Sequence, residues 1–194
     1  MFAVEGIDHL RFMVGNAKQA AHYHSTAFGM SLVAYRGPET GSRDYAEYVL
    51  GSGSVRFVVA GAVRAGTFGG EHRARHGDGI TDIALEVPDV EKAYAHAFGL
   101  GAVGLERPQE VIDEHGAVVR AAIAAYGETR HSLIDRSRYA GVFLPGFVAR
   151  DPVVDRTPAV EAGLQPRRFS RWSTTWSATS IWARWTSGCG STSG

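Results

Sequence analysis

The chain reads as an α+β protein built from two tandem βαβββ units. Three observations carry that reading. A strand, a capped helix and a second strand follow one another over residues 6–35. Two alternating segments joined by a glycine turn complete a first unit by residue 61. The same order of events then begins again at residue 79 and runs to about 137, with all of it falling in one domain over 6–150.

The first strand enters through Gly6-Ile7-Asp8-His9. Leu10, Phe12 and Val14 alternate with their neighbours, as a half-buried strand requires. Gly15-Asn16 breaks it, and Asn16 is a suitable N-cap. Ala17, Ala20, Ala21, His24 and Phe28 recur at helical spacing until Gly29 stops the helix. Met30 to Tyr35 resumes as strand. Residues 43–50 and 54–60 are two more strands, with Gly51-Ser52-Gly53 as the turn between them. Residues 61–79 read as a Gly- and Arg-rich connection that places His72 and His76 in a loop. Gly66–Gly70 is not a phosphate loop, since it lacks the following Lys-Ser/Thr and a helix.

The second unit opens with a strand from Ile80 to Val87. Pro88-Asp89 starts a helix with apolar Val90, Ala93, Tyr94, Ala97 and Phe98, and Gly99 ends it. Val103–Glu106, Glu110–Ile112 and Ala117–Ala125 are strand segments. Asp113-Glu114-His115-Gly116 is a turn with glycine at its left-handed position. His131 to Asp135 closes the unit. A repeat of this size points to two copies sharing one core.

Composition removes several functions. Acidic and basic residues balance at 20 each, so no charge field draws nucleic acid or an anionic membrane. No apolar run approaches the roughly 20 residues that cross a bilayer. The N-terminus lacks a signal-peptide pattern, and with Cys189 the lone cysteine a cytoplasmic location is the default. His22, His24 and His96 fall on helices, His115 in a turn, and His131 at a strand start. No H-E-x-x-H or Cys/His spacing marks a zinc site.

From about residue 156 the strand and helix periods disappear. Residues 167–194 hold all four tryptophans among Ser, Thr, Arg and Gly, and an unstructured tail is expected over 156–194.

Several stretches together carry a resemblance. They are Val14–Tyr23 with Ser25–Met30, Leu32–Tyr35, His76-Gly77-Asp78-Gly79, Asp113–Gly116, Tyr126–Arg136 and Leu144-Pro145-Gly146-Phe147. In this order the chain resembles the N-terminal half of the 4-hydroxyphenylpyruvate dioxygenase family, of the vicinal oxygen chelate (glyoxalase-like) superfamily. The resemblance implies a non-haem Fe(II) enzyme that converts an aromatic 2-oxo acid, 4-hydroxyphenylpyruvate, and O₂ to homogentisate and CO₂ in tyrosine breakdown. It also implies that the iron ligands lie in the other half, so this chain alone is expected to hold no iron and to be inactive. The places equivalent to ligand positions hold His9, Asp82 and Ser132, and a His, an Asp and a hydroxyl make a poor facial triad.

In this family the second half opens with a run like V-D-H-x-V-G-N-V. Residues Trp172–Trp182, read one base out of frame with GC-rich codons, give V-D-H-V-V-G-N-V-D-L. The tail is therefore expected to be an out-of-frame reading of that opening. Alternatives stay open. One is a fragment of the related 4-hydroxymandelate synthases. Another is a metal-free small-ligand module of the bleomycin-resistance type, which would bind an aromatic ligand as a dimer. A third is a glyoxalase-type metalloenzyme, which would retain a metal through dialysis. An orphaned half exposes an apolar face, so homo-oligomers or aggregation are expected.

Overall fold

The computed structural model describes residues 3–150, and the expected tail at 156–194 lies outside the described residues. The chain forms β1 (Gly6–Met13), α1 (Ala17–Phe28), β2 (Ser31–Arg36), a 3-10 turn (Pro38–Thr40), β3 (Tyr45–Ser52) and β4 (Val55–Ala62). It continues as α2 (Phe68–His76), β5 (Gly79–Glu86), α3 (Val90–Gly99), β6 (Gly104–Asp113), β7 (Gly116–Ala124), β8 (Arg130–Asp135) and β9 (Val148–Ala149). The strands make one nine-stranded mixed sheet in the order β6-β7-β8-β5-β1-β4-β3-β2-β9.

The caps behave as their chemistry demands. Asn16 accepts from the Gln19 amide, and Gly29 takes the left-handed conformation that ends α1. Asp89 accepts from the Lys92 amide to start α3. Within each unit the first strand pairs in parallel with the last: β1 with β4, and β5 with β8. The two units meet where β1 pairs antiparallel with β5.

Residue parity then sorts the side chains onto two faces. On one face α1 covers Leu50, Val59 and Phe57. On the same face α3 covers Ala121, Leu133 and Leu85. The opposite, inner face carries Ala34, Val49 and Val58 from the first unit and Ala84, Val118 and Ile134 from the second. Phe143, Leu144 and Phe147, from the segment after β8, pack onto it. Each fully buried large aliphatic or aromatic side chain in these layers contributes roughly 1.5–3 kcal/mol of transfer free energy.

The structure corrects the sequence reading in four places. The β3–β4 turn is Gly53-Ser54, because Ser52 pairs with Val55; Gly51 and Ser52 belong to the strand. Residues 68–76 are helix rather than loop, and that helix begins inside the Gly66–Gly70 run. The segments 103–106 and 110–112 are one strand, β6, with irregular register around Arg107-Pro108. Proline is tolerated there because β6 lies at the sheet edge, where a missing N–H leaves no ladder partner wanting. Arg130, rather than His131, begins β8.

Space limits several glycines, and two of them set how neighbouring segments approach. Gly116 has φ +124°, and a Cβ there would stand 2.2 Å from the Arg138 carbonyl oxygen. A Cβ at Gly69 would stand 2.3 Å from the Met13 methyl, so α2 lies close on the first strand. The Tyr45 hydroxyl accepts from the Gly69 amide at 3.1 Å and fixes the same approach.

Candidate functional site

The inner face is the place where a site would be expected, since both units contribute to it. Its register brings the candidates near one another. Arg11 pairs with Asp82 and His9 with Ala84, so His9, Arg11, Asp82 and Ala84 share this face on adjacent strands. Ser132 lies on β8, the other neighbour of β5.

Asp82 and Ser132 meet directly. One Asp82 oxygen accepts from the Ser132 amide at 2.9 Å, and the other accepts from the Ser132 hydroxyl at 2.5 Å. That second oxygen also accepts from Arg130 Nε at 3.1 Å. Arg130 in turn donates to Glu106 at 2.8 Å. Asp82 is buried, and three donors take three of its roughly four acceptor positions.

His9 is held elsewhere. Its Nδ1 stands 2.6 Å from Asp8 Oδ1, and its ring meets the Phe143 ring edge-on at 5.2 Å. Asp8 is fully buried and accepts from Arg136 Nη2 at 2.7 Å. Burial pushes the Asp8 carboxyl up, but the His9 hydrogen bond and the Arg136 charge outweigh it and hold Asp8 below its ordinary value. Arg136 also donates to the Phe143 carbonyl at 2.7 Å, so the same charge anchors the segment that covers the face.

A second buried carboxylate was not singled out from the sequence. Glu47 accepts from Arg11 Nη2 at 2.8 Å and from Arg36 Nε at 2.7 Å. Burial opposes its ionisation, yet the two guanidinium charges more than offset that and lower its pKa. The sequence signal was a carboxylate inside the alternation of β3, at the same parity as buried Val49. Its partners stand 36 and 11 residues away, which no local pattern reveals.

The inner face is therefore already occupied. Its carboxylates are neutralised by arginines, and Phe143, Leu144 and Phe147 fill the apolar part. His9, Asp82 and Ser132 do not fit a metal triad. Three of the roughly four acceptor positions of Asp82 are taken by Arg130 and Ser132, and the Arg130 charge already neutralises it. The Ser132 hydroxyl is committed as a donor to it, so the set is a poor ligand group. An open hollow of about 290 Å³ lies elsewhere, at the start of α1, lined by Asn16, Lys18, Gln19 and His22.

Known proteins place the chain. It is 43% identical over 164 residues to a 4-hydroxyphenylpyruvate dioxygenase of Yarrowia lipolytica, aligning 80% of this chain with 42% of that protein. The dioxygenase of Dictyostelium discoideum is 42% identical over 166 residues, aligning 83% of this chain with 45% of its own length. That of Caenorhabditis briggsae is 45% identical over 141 residues, covering 72% and 36%. The chain is homologous to part of the 4-hydroxyphenylpyruvate dioxygenases. It spans less than half the length of these relatives. No family model matches it.

Among solved structures, a triple mutant of 4-hydroxymandelate synthase from Streptomyces coelicolor superposes with a TM-score of 0.69 at 27% identity, covering 81% of this chain and 45% of that one. Methylmalonyl-CoA epimerase from Mycobacterium tuberculosis superposes at 0.56 over 69% of this chain and 91% of its own, at 17% identity, which speaks to fold alone. The dioxygenase relationship thus rests on sequence, and the vicinal oxygen chelate architecture on both.

One further group stands outside the inner face of this dioxygenase-like chain. His72 and His76 lie one turn apart on α2, and Glu128 lies in the β7–β8 loop. His72 is buried, and burial followed by the nearby His76 lowers its pKa. The i,i+4 spacing is present in the sequence, but it brings two rings together only on a helix, and 61–79 reads there as a loop. Among the described residues no helix is long and apolar enough to cross a membrane.

Proposed function

We propose that this chain is the non-catalytic part of a 4-hydroxyphenylpyruvate dioxygenase, the part that in the whole enzyme supports an iron-bearing remainder. The observation that carries this reading is the filled inner face, in a chain 43% identical to a dioxygenase over 164 residues. Phe143 and Phe147 occupy the place a substrate would need, and Asp82 is engaged by Arg130 and Ser132. The whole enzyme would bind Fe(II) and an aromatic 2-oxo acid through residues outside this chain. Its N-terminal position in that enzyme, the single domain at 6–150 with units at 6–61 and 79–137, and the out-of-frame origin of 156–194 belong to the same proposal.

The dioxygenase is favoured over 4-hydroxymandelate synthase by identity, at 43% against 27%. The filled inner face counts against a small-ligand module and against a glyoxalase-type centre on His9, Asp82 and Ser132. Exposed Tyr23, Phe28, Phe98, Leu100 and Val103 support association of the isolated chain.

Two assays test this. The purified chain, supplied with Fe(II) and 4-hydroxyphenylpyruvate, is expected to consume no O₂ beyond the iron blank. Substrate-dependent uptake would overturn the proposal. A chimera carrying residues 3–150 in place of the matching stretch of the Yarrowia lipolytica enzyme is expected to form homogentisate. A folded, iron-loaded chimera without homogentisate would equally overturn it.

A further inference from the structure

The group at His72, His76 and Glu128 differs from the candidates on the inner face in having ligand capacity left over. Two histidines at i and i+4 present their rings on one side of a helix, which is the spacing by which a single helix chelates a transition metal. Their ring centroids are 4.7 Å apart. Each of the three side chains offers a ligand atom, and these atoms lie within 4.8 Å of one another. Among the described residues no other set of three His, Cys, Asp or Glu side chains does this.

The spacing at one edge already suits a metal. His76 Nε2 and Glu128 Oε2 are 3.2 Å apart. Two ligands about 2.05 Å from one tetrahedral zinc stand about 3.3 Å apart, so an ion fits at that edge with little movement. The longer spacings close by rotation of His76 and Glu128, whose side chains are 50% and 29% exposed.

His72 supplies the independent observation. It is 94% buried, and its Nδ1 lies buried without a hydrogen-bond partner. A buried polar atom of this kind calls for a partner, and a metal ion bound at Nδ1 would supply one. Glu128 is oriented from behind: Arg75 donates to Oε1, leaving Oε2 toward His76. A carboxylate held in this way by an outer partner is a common support for a metal ligand.

We propose that His72, His76 and Glu128 form a binding site for a zinc-type divalent transition-metal ion, with a fourth position left to water. Two neutral imidazoles and one carboxylate suit Zn²⁺, Co²⁺ or Ni²⁺ and disfavour Mg²⁺ and Ca²⁺, which prefer oxygen. α2 packs on β1 at Met13, but none of the three ligands is His9, Asp82 or Ser132, so the site is distinct from the ligand-equivalent positions of the inner face. Its ligands come from α2, the link between the units, and from the β7–β8 loop of the second unit. A bound ion would therefore clasp the link to the second unit.

The test uses the full chain without an affinity tag, with Cys189→Ser to remove the lone thiol, stripped of metal by chelator. Co²⁺ is titrated and followed by its visible absorption, which is intense for four-coordinate and weak for six-coordinate ions. Zn²⁺ is then used to displace it. The expected result is one equivalent of Co²⁺ with the intense spectrum, displaced by Zn²⁺, and a thermal midpoint raised by Zn²⁺. His76→Gln changes an exposed side chain and Glu128→Gln a half-buried one in a loop, both near-isosteric and compatible with the fold. Each is expected to weaken binding at least tenfold and to abolish the thermal shift. Substoichiometric uptake, a weak six-coordinate spectrum, or equal binding by both variants would overturn the site.

Discussion

Phe143→Ala probes whether the inner face is filled in solution. Phe143 is among the most deeply buried side chains, 1% exposed. Its ring meets Phe147 edge-on at 5.0 Å and His9 at 5.2 Å, with the Arg136 guanidinium 5.2 Å from its centroid. Removing a buried phenylalanine down to alanine costs about 3–5 kcal/mol, part of it transfer and part the void left behind. His9, Ala34, Val49 and Val58 are held in β-strands while Phe147 is not, so collapse is only partial and a value of about 4 kcal/mol is expected. With an m-value of about 2 kcal/mol per molar urea, that moves the unfolding midpoint down by about 2 M. Phe143→Leu keeps most of the volume and should cost under about 1.5 kcal/mol. The void is walled partly by Ala34, Val49, Val58 and Phe147, and an apolar hole of that kind admits benzene. Saturating benzene should therefore restore part of the midpoint in the alanine variant and none in the wild type. A shift below about 0.5 M for Phe143→Ala would refute a seated ring, and with it the claim that this face is closed to substrate.

Glu47→Ala strands Arg11 and Arg36 against each other and should cost about 3 kcal/mol, read from the same urea curves, because breaking a buried pair leaves uncompensated charge. Asp8 and Glu47 both ionise more readily in the folded chain than in the unfolded one. The stability they supply is complete above the ordinary carboxylate range near pH 4 and is lost as pH falls through their lower folded values. Denaturation midpoints should thus fall below about pH 4, after a smaller loss that the lowered pKa of His72 adds as pH drops through the ordinary histidine value near 6.5; midpoints unchanged below pH 4 would contradict this. Gly69→Ala forces a methyl into Met13 and should shift the thermal midpoint down by several degrees, an overpacking cost of about 1–3 kcal/mol. Resequencing the gene across codons 150–194 should reveal one missing or extra base; an intact frame there would remove the out-of-frame account of the tail.

Much of the fold was legible because it is written in local chemistry. Asn16 and Asp89 announce helix starts by what their side chains accept, and Gly29 announces an end. The paired order of events in the two units showed through the alternation of Phe57 with Val59 and of Ile83 with Leu85. What stayed hidden was set by tertiary contact. The helix α2 has two glycines and no apolar stripe, and only Gly69 and His72 are buried in it. Its local signals were real, with Thr67 accepting from the Gly70 amide and Arg73, Arg75 and His76 at the negative end. They were outweighed by low helix propensity, which close packing on Met13 and Tyr45 overrides. Pro108 suggested a break in β6 because its edge position is not a property of the sequence nearby. The ligand-equivalent residues were found by position, but their engagement by Arg130, Asp8 and Phe143 joins segments far apart in the chain.

The antiparallel pairing of β1 with β5 has a consequence for how molecules meet. The covalent tie between the units is the stretch around α2, while the contact that unites them is a ladder between two strands. That ladder is indifferent to whether its strands share a backbone. Two chains that open at this seam can each close it with the other's second unit, regaining the ladder and the contacts across it, such as Arg136 to Asp8, in an exchanged dimer. Such a dimer would be as stable as two separate molecules and would interconvert with them only as slowly as the seam unzips. Dimers that persist on dilution for hours, then resolve after partial unfolding, would be its mark.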